Sequence, residues 1–329
     1  MTTNDDTTET TEPLLVELLV YSDPGPLVRK HLSLAKVLVL SRACKSLHKL
    51  MLDETTRARN VWAAAKSEAL VSRSPVSVVC ARRSVSGGHL LMLAHLHEQN
   101  DALVQLNLWD AERCAEAAVG GHLACLKYLH EHGIPWDHRT CSWAAKSGQL
   151  DCLRYAHEHG CYWNTMTCRI AARHGHLDCL KYVHENGCPW DEFTCESAAI
   201  NGQLTCLQYA HKHGCPWDEE TCTNAALGGR LDCLRYAHKN GCPWDEETCG
   251  AAAAYGHLDC LQYAHENGCP WDEDVCESAA GNGQLACLMY AHAHGGALTV
   301  EVMNTAVRGG HQECVDYLRS QRCPGWMSN

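Results

Sequence analysis

The stretch Gly202-Gln-Leu-Thr-Cys-Leu-Gln-Tyr-Ala-His-Lys-His-Gly-Cys-Pro-Trp-Asp-Glu-Glu-Thr-Cys-Thr-Asn-Ala-Ala-Leu-Gly228 decides the fold, because it is one copy of a phrase that returns every 27 residues. Gly121, Gly148, Gly175, Gly202, Gly229, Gly256, Gly283 and Gly310 keep that spacing, and the first seven open Gly-[His/Gln/Arg]-Leu-x-Cys-Leu-x-Tyr-x-His. A fixed period of this size marks a solenoid, in which each unit buries its apolar face only against its neighbours. A residue that recurs in every unit is then structural, and function belongs where the units differ.

Each unit parses into two helices. Asp218 suits an N-cap, and Glu219 and Glu220 put negative charge in the first turn, where the helix dipole favours it. The helix continues through Thr221 to Leu227 with Ala225-Ala226 on its packing face, and Gly228-Gly229 breaks it. A second helix, from about Arg230 to Asn240, sets Cys233, Leu234 and Ala237 on one stripe. Gly241 suits the left-handed position after a helix, and Pro243 prevents continuation. The histidine near the end of each second helix (His130, His157, His184, His211, His238, His265, His292) is expected to cap terminal carbonyls. The tryptophans Trp109, Trp136, Trp163, Trp190, Trp217, Trp244 and Trp271 are expected to cover the seams between helix pairs, with an aromatic ligand strip as the functional rival.

Composition narrows the chemistry. Residues 1–87 hold 12 Lys and Arg against 9 Asp and Glu, whereas residues 88–329 hold 15 against 30. An acidic array without a basic stripe matches nucleic acid poorly, and no apolar run is long enough to span a bilayer as a helix. Neither nucleic acid nor membrane is an expected partner. The 23 cysteines form an odd set in a long chain without a secretory leader, which favours reduced thiols and an intracellular setting. Zinc requires four ligands converging at about 2.0–2.3 Å, whereas Cys206, Cys215 and Cys222 stand eight and six residues apart in sequence. Buried thiols filling helix seams are the expectation, with no metal, cofactor or catalytic residue, because nothing in the repeats is special once.

The phrase Thr-Cys-x-x-Ala-Ala-x-x-Gly-His-Leu resembles the ankyrin signature Thr-Pro-Leu-His-x-Ala-Ala-x-x-Gly-His. The likeness covers roughly Val76 to Cys323, and the period is 27 residues rather than the family's 33. The resemblance implies an all-α, ankyrin-like helix-turn-helix solenoid of about nine units over residues 76–325, degenerate at both ends. The usual β-finger would be reduced to the Cys-Pro-Trp-Asp loop, and the second helix would be one residue longer. The Gly-Cys-Pro-Trp-Asp wording is similar to short repeats of large DNA viruses of amoebae, which implies a host cytoplasmic or nuclear location.

Ahead of the array, residues 1–12 read as a Thr- and acid-rich disordered leader, and residues 13–75 as a small helical module. Pro13-Leu14-Leu15-Val16-Glu17-Leu18-Leu19, Asp23-Pro24, Leu27, Leu40-Ser41-Arg42 and Trp62 resemble a degenerate F-box. That resemblance implies docking of a Skp-type adaptor of a cullin-RING ubiquitin ligase through Leu14, Leu15, Leu18, Leu27 and Leu40. The competing reading is a helical cap sealing the first repeat.

Variation marks the candidate site. The residues on either side of the recurrent Ala-Ala pair change from unit to unit, and in ankyrin proteins the first helices line a concave binding face. Trp143, Lys146, Arg169, Arg173, His174, Ile200, Asn201, Asn224, Leu227, Tyr255 and Asn282 are therefore the candidate partner-binding residues, with aromatic and Arg side chains as anchors. The expected function is a non-enzymatic protein-interaction scaffold, in one form a substrate receptor for a ubiquitin ligase. The alternative is a structural or virion-associated repeat protein without a selective ligand.

Overall fold

The computed structural model describes residues 76–98, 109–272 and 274–324, and every regular element among them is a helix. The leader at 1–12 and the module at 13–75, with the adaptor-docking leucines, lie outside the described residues. Among the described residues nine helix pairs follow one another.

The chain divides into two compact units, one reaching residue 144 and including 151–162, the other holding 145–150 and everything from 163 onward. The first contains α1 (Val76–Ser86), α2 (Leu90–Glu98), α3 (Ala111–Val119), α4 (Leu123–Glu131) and most of α5 (His138–Lys146) and α6 (Leu150–Glu158). The second opens with α7 (Thr165–Arg173), α8 (Leu177–Glu185), α9 (Glu192–Ile200) and α10 (Leu204–Lys212). It continues through α11 (Glu219–Leu227), α12 (Leu231–Lys239), α13 (Glu246–Tyr255) and α14 (Leu258–Glu266). The last two pairs are α15 (Asp274–Gly281) with α16 (Leu285–Ala293), and α17 (Val300–Gly309) with α18 (Gln312–Ser320).

The breakers act where the sequence puts them. Gly241 ends the α12 turn at φ +83°, a left-handed conformation that a Cβ disfavours by about 1–2 kcal/mol. Asp218 holds the extended N-cap backbone of α11 without a side-chain cap bond, whereas Asp245 accepts from the Glu247 amide at 3.1 Å. The second helix is nine residues long, the same as most first helices. The Cys-Pro-Trp-Asp segment at 215–218 is a plain loop, as the short period implied.

Packing follows the repeat. In the second unit the first helices α7, α9, α11, α13, α15 and α17 pack side by side, each also against its own second helix, while successive second helices touch more sparsely. Cys206, Leu207 and Ala210 of α10 and Cys222, Ala225 and Ala226 of α11 are fully buried, and the equivalent residues are buried in every neighbouring repeat. Each fully buried leucine contributes about 2 kcal/mol of transfer free energy. The variable His/Gln/Arg position also crosses between repeats. His257 Nε2 donates to the Leu227 carbonyl at 3.1 Å and His311 Nε2 to the Gly281 carbonyl at 3.0 Å, while Arg230 Nε reaches the Ile200 carbonyl at 3.3 Å. These carbonyls lie at first-helix ends, where the helix itself supplies no donor.

The second-helix histidines do something other than capping. His211 Nδ1 lies 2.9 Å from the Tyr236 hydroxyl of the next repeat, and its ring stacks on Trp217 at 3.8 Å with planes 12° apart. The same arrangement joins His184, Trp190 and Tyr209, then His238, Trp244 and Tyr263. In the first unit it joins His130, Trp136 and Tyr155. Capping falls two residues later, where Asn240 Nδ2 donates to the Tyr236 carbonyl at 2.7 Å and His294 Nδ1 to the Tyr290 carbonyl at 2.9 Å. Trp136, Trp190, Trp217 and Trp244 thus fill inter-repeat seams, each half-buried between the histidine of one second helix and the tyrosine of the next.

A candidate protein-binding face

The first helices present their variable residues beside the buried Ala-Ala pair, and the candidates divide by what they touch. Arg169 lies over the Phe193 ring at 5.1 Å and its Nε donates to Ser197 Oγ at 3.2 Å, so it ties α7 to α9. Asn224 Nδ2 donates to Glu196 Oε2 at 3.4 Å across α11 and α9. Asn201 and Asn282 donate to carbonyls of their own helices, at Ser197 and Ser278. Arg173, His174 and Lys146 are exposed, Ile200, Leu227 and Trp143 are half-buried, and Tyr255 is 58% exposed. Trp143 belongs to the first unit and the others to the second.

Electrostatics reveals residues that sequence reasoning assigned only to the helix dipole. Glu219, Glu220, Glu246, Glu247, Asp272 and Asp274 are exposed along the N-terminal edge of α11, α13 and α15, with Glu192 and Glu196 of α9 half-buried beside them. Burial first, then Asp218, Glu220 and Glu192, push the Glu196 carboxyl up to about 7 despite Arg169 nearby. Glu220 is also raised, by burial and by Glu247, Asp218, Asp245 and Glu219. In the first unit such positions are neutralised: Arg113 pairs with Glu116 at 2.6 Å and Glu112 at 2.9 Å, and Arg139 with Asp137 at 2.8 Å. The recurring Asp-Glu pair and the lack of Lys or Arg in α9, α11, α13 and α15 were the sequence signal. Beyond α15, an open cavity of about 560 Å³ lies among Asp274, Glu277, Gly281, Asn282, Thr305 and Arg308, and Arg308 pairs with Glu301.

Burial holds most of the thiols neutral, whereas Cys161 and Cys188 are lowered, chiefly by hydrogen bonding to Cys141 and Cys168. All 21 described cysteines outside position 80 are buried and free, and burial pushes Cys206 and Cys233 up to about 11 and Cys260 to about 12. A nucleophilic or metal-binding thiol needs the opposite shift. The loop cysteines act as weak donors instead: Cys242 Sγ to the Asp218 carbonyl and Cys269 Sγ to the Asp245 carbonyl, both at 3.1 Å. Among the described residues no three His, Cys, Asp or Glu side chains converge as a metal site would require.

Paired antiparallel helices at a fixed register, with buried Ala-Ala on the first and Cys-Leu on the second, accompany a match of residues 141–184 to the family model for ankyrin repeats in many copies. The helix pairs form an ankyrin-like solenoid. Among solved structures, the chain is similar to the ankyrin repeat domain of human ASB11, at 21% identity and a TM-score of 0.43, over 49% of this chain and 83% of that one. No curated protein matches the sequence. Ankyrin repeats generally serve as scaffolds for protein–protein interaction rather than as enzymes. No helix among the described residues is long and apolar enough to cross a membrane.

Proposed function

We propose that this chain is a non-enzymatic protein-interaction scaffold that holds partners on the solvent face of its first helices. One observation carries the reading: the Cys and Ala-Ala positions of the first helices recur and are buried, while the position after the pair (Lys146, Arg173, Ile200, Leu227) reaches solvent and differs from repeat to repeat. A scaffold kept constant beneath a changing surface is what recognition of a particular partner demands. Arg173, Ile200, Leu227 and Tyr255 on the second unit, and Trp143 on the first, are the anchors, since Arg and aromatic residues dominate interface energetics.

The test is affinity capture from cells with Arg173→Ala/Tyr255→Ala and Trp143→Ala as separate variants. Loss of specific partners from either variant, with the fold intact, supports the reading. An unchanged partner set from both leaves a structural or virion-associated repeat protein without a selective ligand. The receptor form of the proposal rests on the F-box resemblance of residues 13–75. Co-purification of the full chain with a Skp-type adaptor, lost on Leu14→Asp/Leu18→Asp substitution, supports it, and failure to co-purify leaves that segment as a cap.

A further inference from the structure

We propose that the first-helix cysteine and the loop cysteine of one repeat form a peroxide-oxidisable dithiol, Cys168 with Cys188 in the second unit and Cys141 with Cys161 in the first. This modification site goes beyond the scaffold reading and does not depend on it. The two sulfurs of each pair are in hydrogen-bond contact. Cys168 Sγ also lies 3.9 Å from the Cys188 carbonyl, and Cys141 Sγ lies 3.9 Å from the Cys161 carbonyl. Each loop thiol is anchored in turn, Cys188 on the Asn164 carbonyl at 3.2 Å and Cys161 on the Asp137 carbonyl at 3.1 Å. The partners thus stand against each other while lying 20 residues apart in sequence.

The neighbouring repeats show that the loop position faces the first-helix sulfur whatever residue fills it. Opposite Cys276 stands Gly296, and a Cβ built there would come within 2.6 Å of Cys276 Sγ. Opposite Cys114 stands Ile134, whose carbonyl lies 3.9 Å from Cys114 Sγ, the same approach without a second sulfur. Packing therefore accepts other residues at this position, and the second thiol adds chemistry rather than fit. The second-helix cysteines Cys152, Cys179, Cys206 and Cys233 share the same core, yet none is hydrogen-bonded to another thiol.

The two sulfurs of a pair are not equivalent. Cys161 and Cys188 are 2% and 3% exposed at the edge of a short loop, whereas Cys141 and Cys168 are fully covered. Hydrogen bonding to Cys141 and Cys168 also holds the loop thiols below their ordinary range, against the opposing effect of burial. The loop sulfur is thus the one that reacts, since the thiolate is the nucleophile. Cys269 is pushed the other way, by its hydrogen bond to Cys249 and by burial, so that pair is the less reactive one.

The chemistry balances with hydrogen peroxide as the oxidant. The Cys188 thiolate attacks one peroxide oxygen and the O–O bond breaks. Cys188 becomes a sulfenic acid, and the departing hydroxide takes up the thiol proton and leaves as water. Cys168 Sγ then attacks the Cys188 sulfur, the S–O bond breaks, and the Cys168 proton leaves with the hydroxyl as a second water. The two thiols lose two electrons and the peroxide gains them. The product is neutral, so the core holds no buried charge, and the bond closes a covalent ring around α8 that ties α7 to the loop beyond it.

Disulfide mapping of the full chain tests this. The reduced protein is treated with hydrogen peroxide, remaining thiols are blocked with N-ethylmaleimide in denaturant, and digests with trypsin and a glutamyl protease are read unreduced by mass spectrometry. The Cys168–Cys188 and Cys141–Cys161 links should exceed any link containing Cys152 or Cys179 by about tenfold or more. They should revert with dithiothreitol and form while the helical circular dichroism signal is kept. Cys168→Ala should leave Cys188 as a sulfenic acid captured by dimedone, with no new link to Cys179. Links scattered over the second-helix cysteines, links that appear only as the helical signal falls, or no link at all each overturn the proposal. The wild-type map decides the matter even where the variant fails to fold.

Discussion

At the scale of the residue, the most consequential side chains are ones whose position was plain and whose partner was not. A histidine at the end of a second helix reads as a cap, because nothing in its own helix says otherwise. Its partner lies 25 residues on, the tyrosine of the next repeat, with a tryptophan stacked between helices. Burial lowers the pKa of His130, His184, His211 and His238 below their ordinary 6.5. The folded state therefore favours neutral imidazole, and this contribution is complete above pH 6.5 and lost as pH falls through the lowered folded values. Melting temperature is expected to drop between pH 7 and 5, and the drop should shrink in His184→Phe/His211→Phe/His238→Phe, followed by circular dichroism. Glu196 runs the other way. Its carboxyl is raised from 4.5 to about 7, so the folded state resists ionisation and loses stability as pH rises from 4.5 through 7. Glu196→Gln should leave the melting temperature unchanged near pH 4.5 and raise it at pH 8. A difference that is constant across that range would mean that neither burial nor the neighbouring carboxylates perturb Glu196.

At the scale of the element, the repeat was legible because breakers and stripes agree at every turn. Gly241, Pro243 and the Cys233-Leu234-Ala237 stripe place α12 to within a residue at either end. Two glycines show what a local reading reaches and what it misses. Gly241 has φ +83° and open space around a built Cβ, so Gly241→Ala should cost about 1 kcal/mol from backbone strain alone. Gly228 has an ordinary helical φ of −81°, where propensity alone favours alanine. A Cβ there would run into the Ile200 carbonyl of the preceding repeat, so Gly228→Ala should cost about 2 kcal/mol as overpacking. Urea unfolding of the two variants measures both, and a stabilised Gly228→Ala would show that the first-helix layer yields more readily than its packing suggests. The candidate site was half legible for the same reason. Variation beside the Ala-Ala pair marks the exposed face in sequence, yet only coordinates reveal that Arg169 is spent on Phe193 and Ser197 and Asn224 on Glu196. The acidic edge was visible as Asp-Glu-Glu and explained away by the helix dipole, which needs one carboxylate per helix, not two or three.

At the scale of the whole molecule, stability should behave as a sum over repeats and their interfaces, because each repeat's bonds run to itself or to a neighbour. The recurring cross-repeat hydrogen bonds keep fixed registers: histidine to tyrosine 25 residues on, helix-end carbonyl to a donor 30 residues on, and loop carbonyl to a thiol 24 residues on. Removing one full period leaves every such pair intact with a substitute from the following copy. Deleting residues 245–271 joins Trp244 to Asp272, which takes the place of Asp245 as an N-cap. His238 would then meet Tyr290 in place of Tyr263, and the Leu227 carbonyl would meet Gln284 in place of His257, positions already equivalent in the native array. The shortened chain should keep its helical signal per residue and unfold in a single transition. Its urea dependence should be roughly a tenth shallower, since the slope follows the surface exposed on unfolding. A deletion ending at residue 267 instead breaks the register, sets buried cysteines against solvent-facing positions, and should leave the downstream repeats unfolded. If both deletions behave alike, the spacing itself is not what couples the repeats, and stability must come from contacts that do not respect the 27-residue period.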